Sequence, residues 1–561
     1  MSRFLLLPVL LSLLALSVSA QKAKSYYMLK LNDKSNSSYS ISDPSAFLSA
    51  KSIERRLVQR IPVNETDLPV SPAYLEQIKA AGAEVVYTSK WLNTVIIHTD
   101  EATLKSVIAA KPFILDVKEA DHLFRNRIQH TRKAHFENER LERISNRHKE
   151  YKSTGAFNYG PSGNQAQMIS IDQLHSQGFT GKGITIGVID AGFNSVNTLA
   201  AFDSIRANGQ ILGTRDFVQP GNNVYATNIS THGMMVLSTM GGNLPGQIVG
   251  TAPHSAYWLL RSEDATAEYL MEEYYWVNAA EFADSVGVDV INSSLGYNTF
   301  DNPAENHTYA DMDGNTTPVT IGADMAAAKG ILVVNSAGNS GSGQWQFITA
   351  PADGDSVFTI GAVDANGLYA SFSSRGPTSD GRTKPDVTAQ GQSTIVATIP
   401  SGVAGGSGTS FSSPIIAGAA ACLWQANPTM SNMDLMHAIK MSASQASNPD
   451  NQKGWGIPNF SLANNLLTNS LIQIKHQSHS VKTFPNPFSS YVNVEITTDR
   501  SIVVDIRIIN SKGTEVVAMN GIEVSKGKNL VVLQNLERLT NGIYMITVSD
   551  GYFVSASKVI K

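Results

Sequence analysis

Cysteine is almost absent. Cys422 is the only one in 561 residues, and a lone thiol excludes an intrachain disulfide framework. It sits in the alanine-rich run "AGAAACLW", so a packed, inert side chain is expected. Charge of either sign is scarce: 43 Lys and Arg against 47 Asp and Glu leave a net charge of -4. No polybasic surface is available for a phosphate backbone, which excludes nucleic acid as a partner. Long apolar runs are absent after the N-terminus. A membrane span needs ~20 such residues, so the mature chain is expected to have no transmembrane segment. What remains is 42% hydrophobic and 16% charged, the balance of a packed globular protein. At ~100–200 residues per domain the length allows three or four units.

The chain opens "MSRFLLLPVLLSLLALSVSAQ". A basic Arg3, an apolar stretch from Phe4 to Val18 and the small residues Val18-Ser19-Ala20 form a secretory signal, with cleavage expected after Ala20. Residues 21 to 122 alternate short strands ("SYYMLKL", "AEVVYTS", "WLNTVIIHT", "FILDVKEA") with the helical "PAYLEQIKAAG" and "DEATLKSVIAAK", the pattern of a small α+β domain. Residues 123–164 include "HTRKAHFENERLERISNRHKEYKSTG", rich in both charges, which reads as a solvated linker or exposed helix open to proteolysis.

Residues 165–467 carry short apolar runs separated by helical stretches: "ITIGVIDAG", "VDVINSSLG", "ILVVNSAGN" and "VFTIGAV". Continuous Val/Ile strands alternating with helices predict an α/β fold with a parallel sheet covered on both faces. Chemistry in such sheets gathers at the carboxyl ends of the strands. Asp190, Asn292 to Ser294, and Asn339 stand at those ends. Residues 480–561 alternate with period two between turns such as "SKG" and "TNG", which predicts a β-sandwich entered through "TFPNPFSS".

A serine hydroxyl needs a base, and the base needs an orienting group. Ser410, in "GGSGTSFSSPIIAGAAACLW", enters a helix through a glycine turn. His232, in "STHGMMVLSTMGG", supplies a base, and Asp190, closing "GVIDAG", supplies a carboxylate. Asn339, in "VVNSAGNSG", offers an amide N–H to an oxyanion, and the backbone N–H of Ser410 offers a second donor at a helix N-terminus, where the dipole favours negative charge.

"GVIDAG", "THG", "SAGN" and "GTSFSSP", in this order, resemble the four signature blocks of the subtilisin-like serine proteases, the subtilases. The resemblance implies a secreted serine endopeptidase in which Asp190 orients His232, His232 is general base and acid, Ser410 is the nucleophile and Asn339 stabilises the oxyanion. It also implies that Ser294, Leu295 and Gly296 pair with an extended peptide, and that Ala337 and Gly338 wall the primary specificity pocket. Where the family has Gly-Thr-His after the histidine, this chain has Gly233-Met234-Met235. No cofactor is expected for the chemistry and no metal ligand is assigned. "DMDGN" (Asp311 to Asn315) lacks EF-hand spacing and reads as a solvated loop.

The flanks resemble the inhibitory propeptide of that family and, through "FPNPF" and the terminal "KVIK", the type IX secretion sorting domain of Bacteroidetes. The implied partners are protein or peptide substrates, the chain's own propeptide and the secretion machinery, with a secreted or cell-surface location. Two other readings compete, of which only the first uses the serine. An α/β-hydrolase esterase, ordered Ser, acid, His, needs Asp434 or Asp450 with His437 or His476, but Gly408-Thr409-Ser410-Phe411-Ser412 lacks its second glycine. A non-catalytic adhesin on a protease frame needs a lost catalytic residue. Sequons occur at Asn64, Asn228 and Asn292.

Overall fold

The computed structural model describes residues 24–124, 141–142, 157–474, 480–498, 501–510, 514–549 and 554–561. The signal segment and most of the charged linker lie outside the described residues. The chain divides into two units, Met1–Asn464 and Asn465–Lys561.

The larger unit begins with an antiparallel sheet of β1 (Ser25–Leu31), β2 (Glu84–Ser89), β3 (Thr94–Thr99) and β4 (Ile114–Glu119), in the order β2-β3-β1-β4. Three helices accompany it: α1 (Ala50–Gln59), α2 (Pro72–Ala80) and α3 (Glu101–Ala110). Side chains alternate across a strand, and both faces are covered here. Leu29, Leu31, Val95 and Ile97 pack with Tyr74 and Ile78 of α2 and Val107 of α3. Tyr26, Met28, Tyr87 and Ile96 face the other way, onto Met271 and Tyr274 of the following sheet's helix layer. Helix α1 has no counterpart in the sequence reading, because its buried face is made of Arg55 and Arg56 rather than apolar residues.

Within the linker, β5 (Leu141–Glu142) pairs antiparallel with Gly405 and Gly406. These two exposed linker residues form a strand rather than a helix, because a hairpin edge offers unpaired backbone groups to any passing chain. The central sheet has seven strands: β6 (Thr185–Asp190), β7 (Ile211–Asp216), β10 (Ala256–Arg261), β11 (Val290–Ser293), β12 (Leu332–Ser336), β13 (Phe358–Val363) and β14 (Val387–Gln390). Two small hairpins, β8 (Asn243–Leu244) with β9 (Ile248–Val249) and β15 (Thr394–Ala397) with β16 (Val403–Gly406), lie outside it. The order is β14-β13-β12-β11-β6-β10-β7 and every pairing is parallel. The α/β class expected from the sequence is thus the class found, with three more strands than the four recognised there.

Four helices cover this sheet: α4 (His232–Gly241), α5 (Met271–Val286), α6 (Pro318–Ala328) and α7 (Thr409–Ala426). Helices α5 and α6 share a core with Ile189, Ile291 and Val333. Helices α4 and α7 pack against each other over the remaining face. β6 and β11 are central neighbours, so Asp190 and Ser293 end side by side at the carboxyl edge.

The smaller unit is a β-sandwich, as the period-two pattern predicts. β17 (Ser480–Phe484), β18 (Val492–Thr498) and β21 (Gly527–Leu533) form one sheet, and β19 (Ile502–Asn510), β20 (Glu515–Val524), β22 (Ile543–Ser549) and β23 (Val554–Ile560) the other. Val492, Val494 and Ile496 meet Ile506, Ile508, Ile546 and Val548 between them. Among the described residues no helix is long and apolar enough to cross a membrane.

Candidate active site

Asp190 is the last residue of β6 and His232 the first of α4. The His232 Nδ1 lies 2.7 Å from Asp190 Oδ1, and the two residues are 3% and 0% exposed. A second tie fixes the carboxylate: Asp190 Oδ1 accepts from the Ala191 N–H at 2.7 Å. The helix reaches the strand end so closely because residue 233 has no side chain. A Cβ there would stand 2.5 Å from the Gly192 carbonyl oxygen and 2.9 Å from Asp190 Cβ. Gly233→Ala is therefore expected to displace the start of α4 and to cut kcat on a peptide substrate by about ten- to a hundredfold, since a ~1 Å misplacement has that weight. Turnover equal to wild type would show that the close approach is dispensable. Met234, in place of the family's threonine, is 1% exposed and simply packed.

Ser410 is the second residue of α7, wholly buried in the full chain. Its neighbour Phe411 lies with its ring 6.2 Å from the His232 ring, centroid to centroid, which brings the starts of α4 and α7 together. Ser410 Oγ is 3.5 Å from the Ser294 carbonyl oxygen at the end of β11. Asn339 follows β12 after Gly338, whose φ of 104° is a left-handed conformation that favours glycine. Asn339 Oδ1 accepts from both the N–H and the hydroxyl of Thr409, each at 2.9 Å. Those donors fix the amide's orientation, and the buried Nδ2 is left with no hydrogen-bond partner.

Of the remaining candidates, Leu295 is 2% exposed and its carbonyl accepts from Asn335 Nδ2 at 3.1 Å. Ala337 packs with Ile348 and Ala352. The esterase alternatives are occupied elsewhere: Asp434 closes a capping box with Ser431, and Asp450 accepts the N–H groups of Gln452 and Lys453. His476 lies outside the described residues. Burial raises the Cys422 thiol pKa well above its ordinary value, and its Sγ donates to the Thr251 carbonyl at 3.1 Å.

The sequence reading assigned no acidic cluster, yet Glu263, Glu268 and Glu272 bring carboxylate oxygens within 4.8 Å of one another. Glu272 already accepts the N–H groups of Asp264 and Tyr269, and Glu263 the hydroxyl of Tyr297. In "DMDGN", Asp313 accepts from the N–H groups of Asn315 and Thr316, as a turn-forming aspartate does.

Residues 181–456 match the subtilase family. Subtilisin from Bacillus pumilus is 34% identical over 279 residues, 49% of this chain and 89% of that protein. The chain belongs to the subtilase family. Subtilisin E from Bacillus subtilis is 33% identical over 284 residues, covering 50% of this chain and 65% of that protein. Serine protease AprX from Bacillus subtilis is 30% identical over 293 residues, 47% and 62% of the respective chains. Residues 26–136 match the peptidase S8 propeptide domain of Bacteroidota, and residues 482–561 a secretion system C-terminal sorting domain. This subtilase is thus a subtilisin-like serine protease made with a propeptide, and its sorting domain directs it to the cell surface or beyond.

Proposed function

We propose that this subtilase hydrolyses internal peptide bonds through Asp190, His232 and Ser410, by way of an acyl-enzyme. The observation that carries the reading is the buried 2.7 Å pair of His232 Nδ1 and Asp190 Oδ1, set against the start of the Ser410 helix. Held by Asp190, His232 keeps its other nitrogen for the Ser410 proton, takes it as Oγ attacks the carbonyl, and returns it to the leaving amine. Charge builds on the carbonyl oxygen, where Asn339 Nδ2 and the Ser410 N–H donate. Ser294 and Gly296 supply the edge that pairs with the substrate, with Leu295 anchored in the core between them. Ala337 and Gly338 form the facing wall.

The N-terminal domain acts as inhibitor until it is removed. Its last described residues include Leu123, which shares a core with Leu270 and Met271 at the head of α5. The domain boundaries proposed are 21–122 for the propeptide, 123–164 for the processing region, 165–467 for the peptidase and 480–561 for the sorting domain.

Treatment with a fluorophosphonate probe tests the mechanism. An adduct mapped to Ser410, and lost in His232→Ala, is expected; an adduct on another serine overturns the assignment. A further expectation concerns the tail. Because its sandwich has its own core, truncation after Leu467 should leave peptidase activity intact in purified, matured protein. In the native host the truncated enzyme should stop in the periplasm. Fractionation that finds it outside the cell at the normal level would remove the sorting role.

A further inference from the structure

One proline and one asparagine bear on how the nucleophile is held. In an α-helix each N–H bonds the carbonyl four residues back. Pro414 lies inside α7 and has no N–H, so the Ser410 carbonyl loses its helical donor. Ser294 replaces it: its Oγ donates to the Ser410 carbonyl oxygen at 3.0 Å. The Ser294 hydroxyl in turn accepts from Asn292 Nδ2 at 3.2 Å. Asn292 Oδ1 accepts from Ser413 Oγ at 3.0 Å, one turn along the helix from Ser410. Asn292, Ser294, Ser410 and Ser413 are all 0% exposed. The loop runs from helix to strand and back, and Asn292 and Ser294 each donate one hydrogen bond and accept another within it. Burial also closes the sequon at this position to modification.

We infer that Asn292 is a positioning residue for the peptidase reaction: it fixes the Ser294 hydroxyl, and through it the backbone of Ser410. Hydroxyls rotate, and without the Asn292 amide the Ser294 hydroxyl loses a donor that holds it toward the Ser410 carbonyl. The freed carbonyl of residue 410 then has no fixed partner, and the Oγ it carries wanders from the attack position. The inference rests on the reading of Ser410 as nucleophile.

The test uses mature enzyme whose active sites are counted by fluorophosphonate titration. Asn292→Ala is expected to lower kcat per titrated site by about ten- to thirtyfold with KM within twofold, because Asn292 touches no substrate. The pH midpoint of kcat/KM should not move, since the loop holds no titratable group. Residues acting through one another are non-additive, so Asn292→Ala with Ser294→Ala should be no worse than Ser294→Ala alone. A turnover per titrated site within twofold of wild type overturns the inference, as do losses that multiply in the double variant. If Asn292→Ala does not fold, Ser413→Ala decides: a lowered kcat at constant KM, restored by Ser413→Thr, supports the relay, and unchanged kcat removes it. Labelling of a serine other than 410 in the wild type would instead sink the nucleophile assignment.

Discussion

Ser410→Ala protein, matured by added wild-type enzyme and repurified, is expected to turn over a peptide about 10⁶-fold more slowly than wild type, the size of loss seen in subtilisin. His232→Ala should cost about as much, and Asp190→Ala less, about 10⁴-fold, because an unoriented histidine still accepts a proton. Combining Ser410→Ala with His232→Ala should add almost nothing, as the two act as one unit. The rate that survives comes from the oxyanion donors, and Asn339→Ala alone should cost about 10²–10³ in kcat. The fold should be intact in the serine variant, since the hydrogen bond from Ser410 Oγ to the Ser294 carbonyl is long, at 3.5 Å. Turnover by Ser410→Ala within tenfold of wild type would end the triad assignment.

The site residues were legible because close approach leaves marks in sequence. Gly233 admits α4 to the end of β6, and Gly338 turns the chain that presents Asn339. Each stands beside a polar residue that a structural turn does not require. Pro414 was equally visible as part of the serine block, but its consequence was not. The freed carbonyl finds its donor 116 residues away, and Ser413 finds Asn292 at a separation of 121. No local pattern encodes either pairing, so Asn292 read only as a strand-end polar residue and a sequon.

Of the fold, the buried central strands were the plainest, because Val/Ile runs bounded by glycine have few other solutions. The interior β10 and both edge strands were missed, and for the edges the reason is plain: β7 carries exposed residues and β14 has only four residues. Helix α1 failed the hydrophobic period for a different reason. Its inward face is charged, and charge faces inward only when a partner waits there.

That partner is Asp284, on α5 of the peptidase domain, and its replacement is the second large effect expected. Arg55 Nη2 lies 2.6 Å and Arg56 Nη2 2.8 Å from Asp284 Oδ1, and Lys90 reaches Oδ2 at 3.2 Å. Arg56 also pairs with Asp67 at 2.9 Å, so the propeptide side is braced from within. Burial would raise the Asp284 pKa, but Lys90, Arg55 and Arg56 outweigh it and hold the carboxylate below its usual range. Removing one partner of a buried ion pair costs about 3–5 kcal/mol, because the other charge stays buried and unpaired. At ~1.4 kcal/mol per tenfold, mature Asp284→Ala enzyme should be inhibited by added propeptide, residues 21–150, some 10²–10³-fold more weakly than wild type. The sign with pH follows from the lowered pKa. Asp284's contribution to binding is fully present above its free-state value, about 4, and is lost as pH falls through the lowered one. Glu281, raised by burial, binds its proton more readily in the complex and so does not drive release in acid. The propeptide should therefore stay bound from neutral pH down to about 4, and leave by proteolysis of the charged linker rather than by mild acidification. Inhibition constants for wild type and Asp284→Ala across that range decide it: equal values would show that the arginine helix adds no affinity, and wild-type release between pH 5 and 7 would put the trigger on another group.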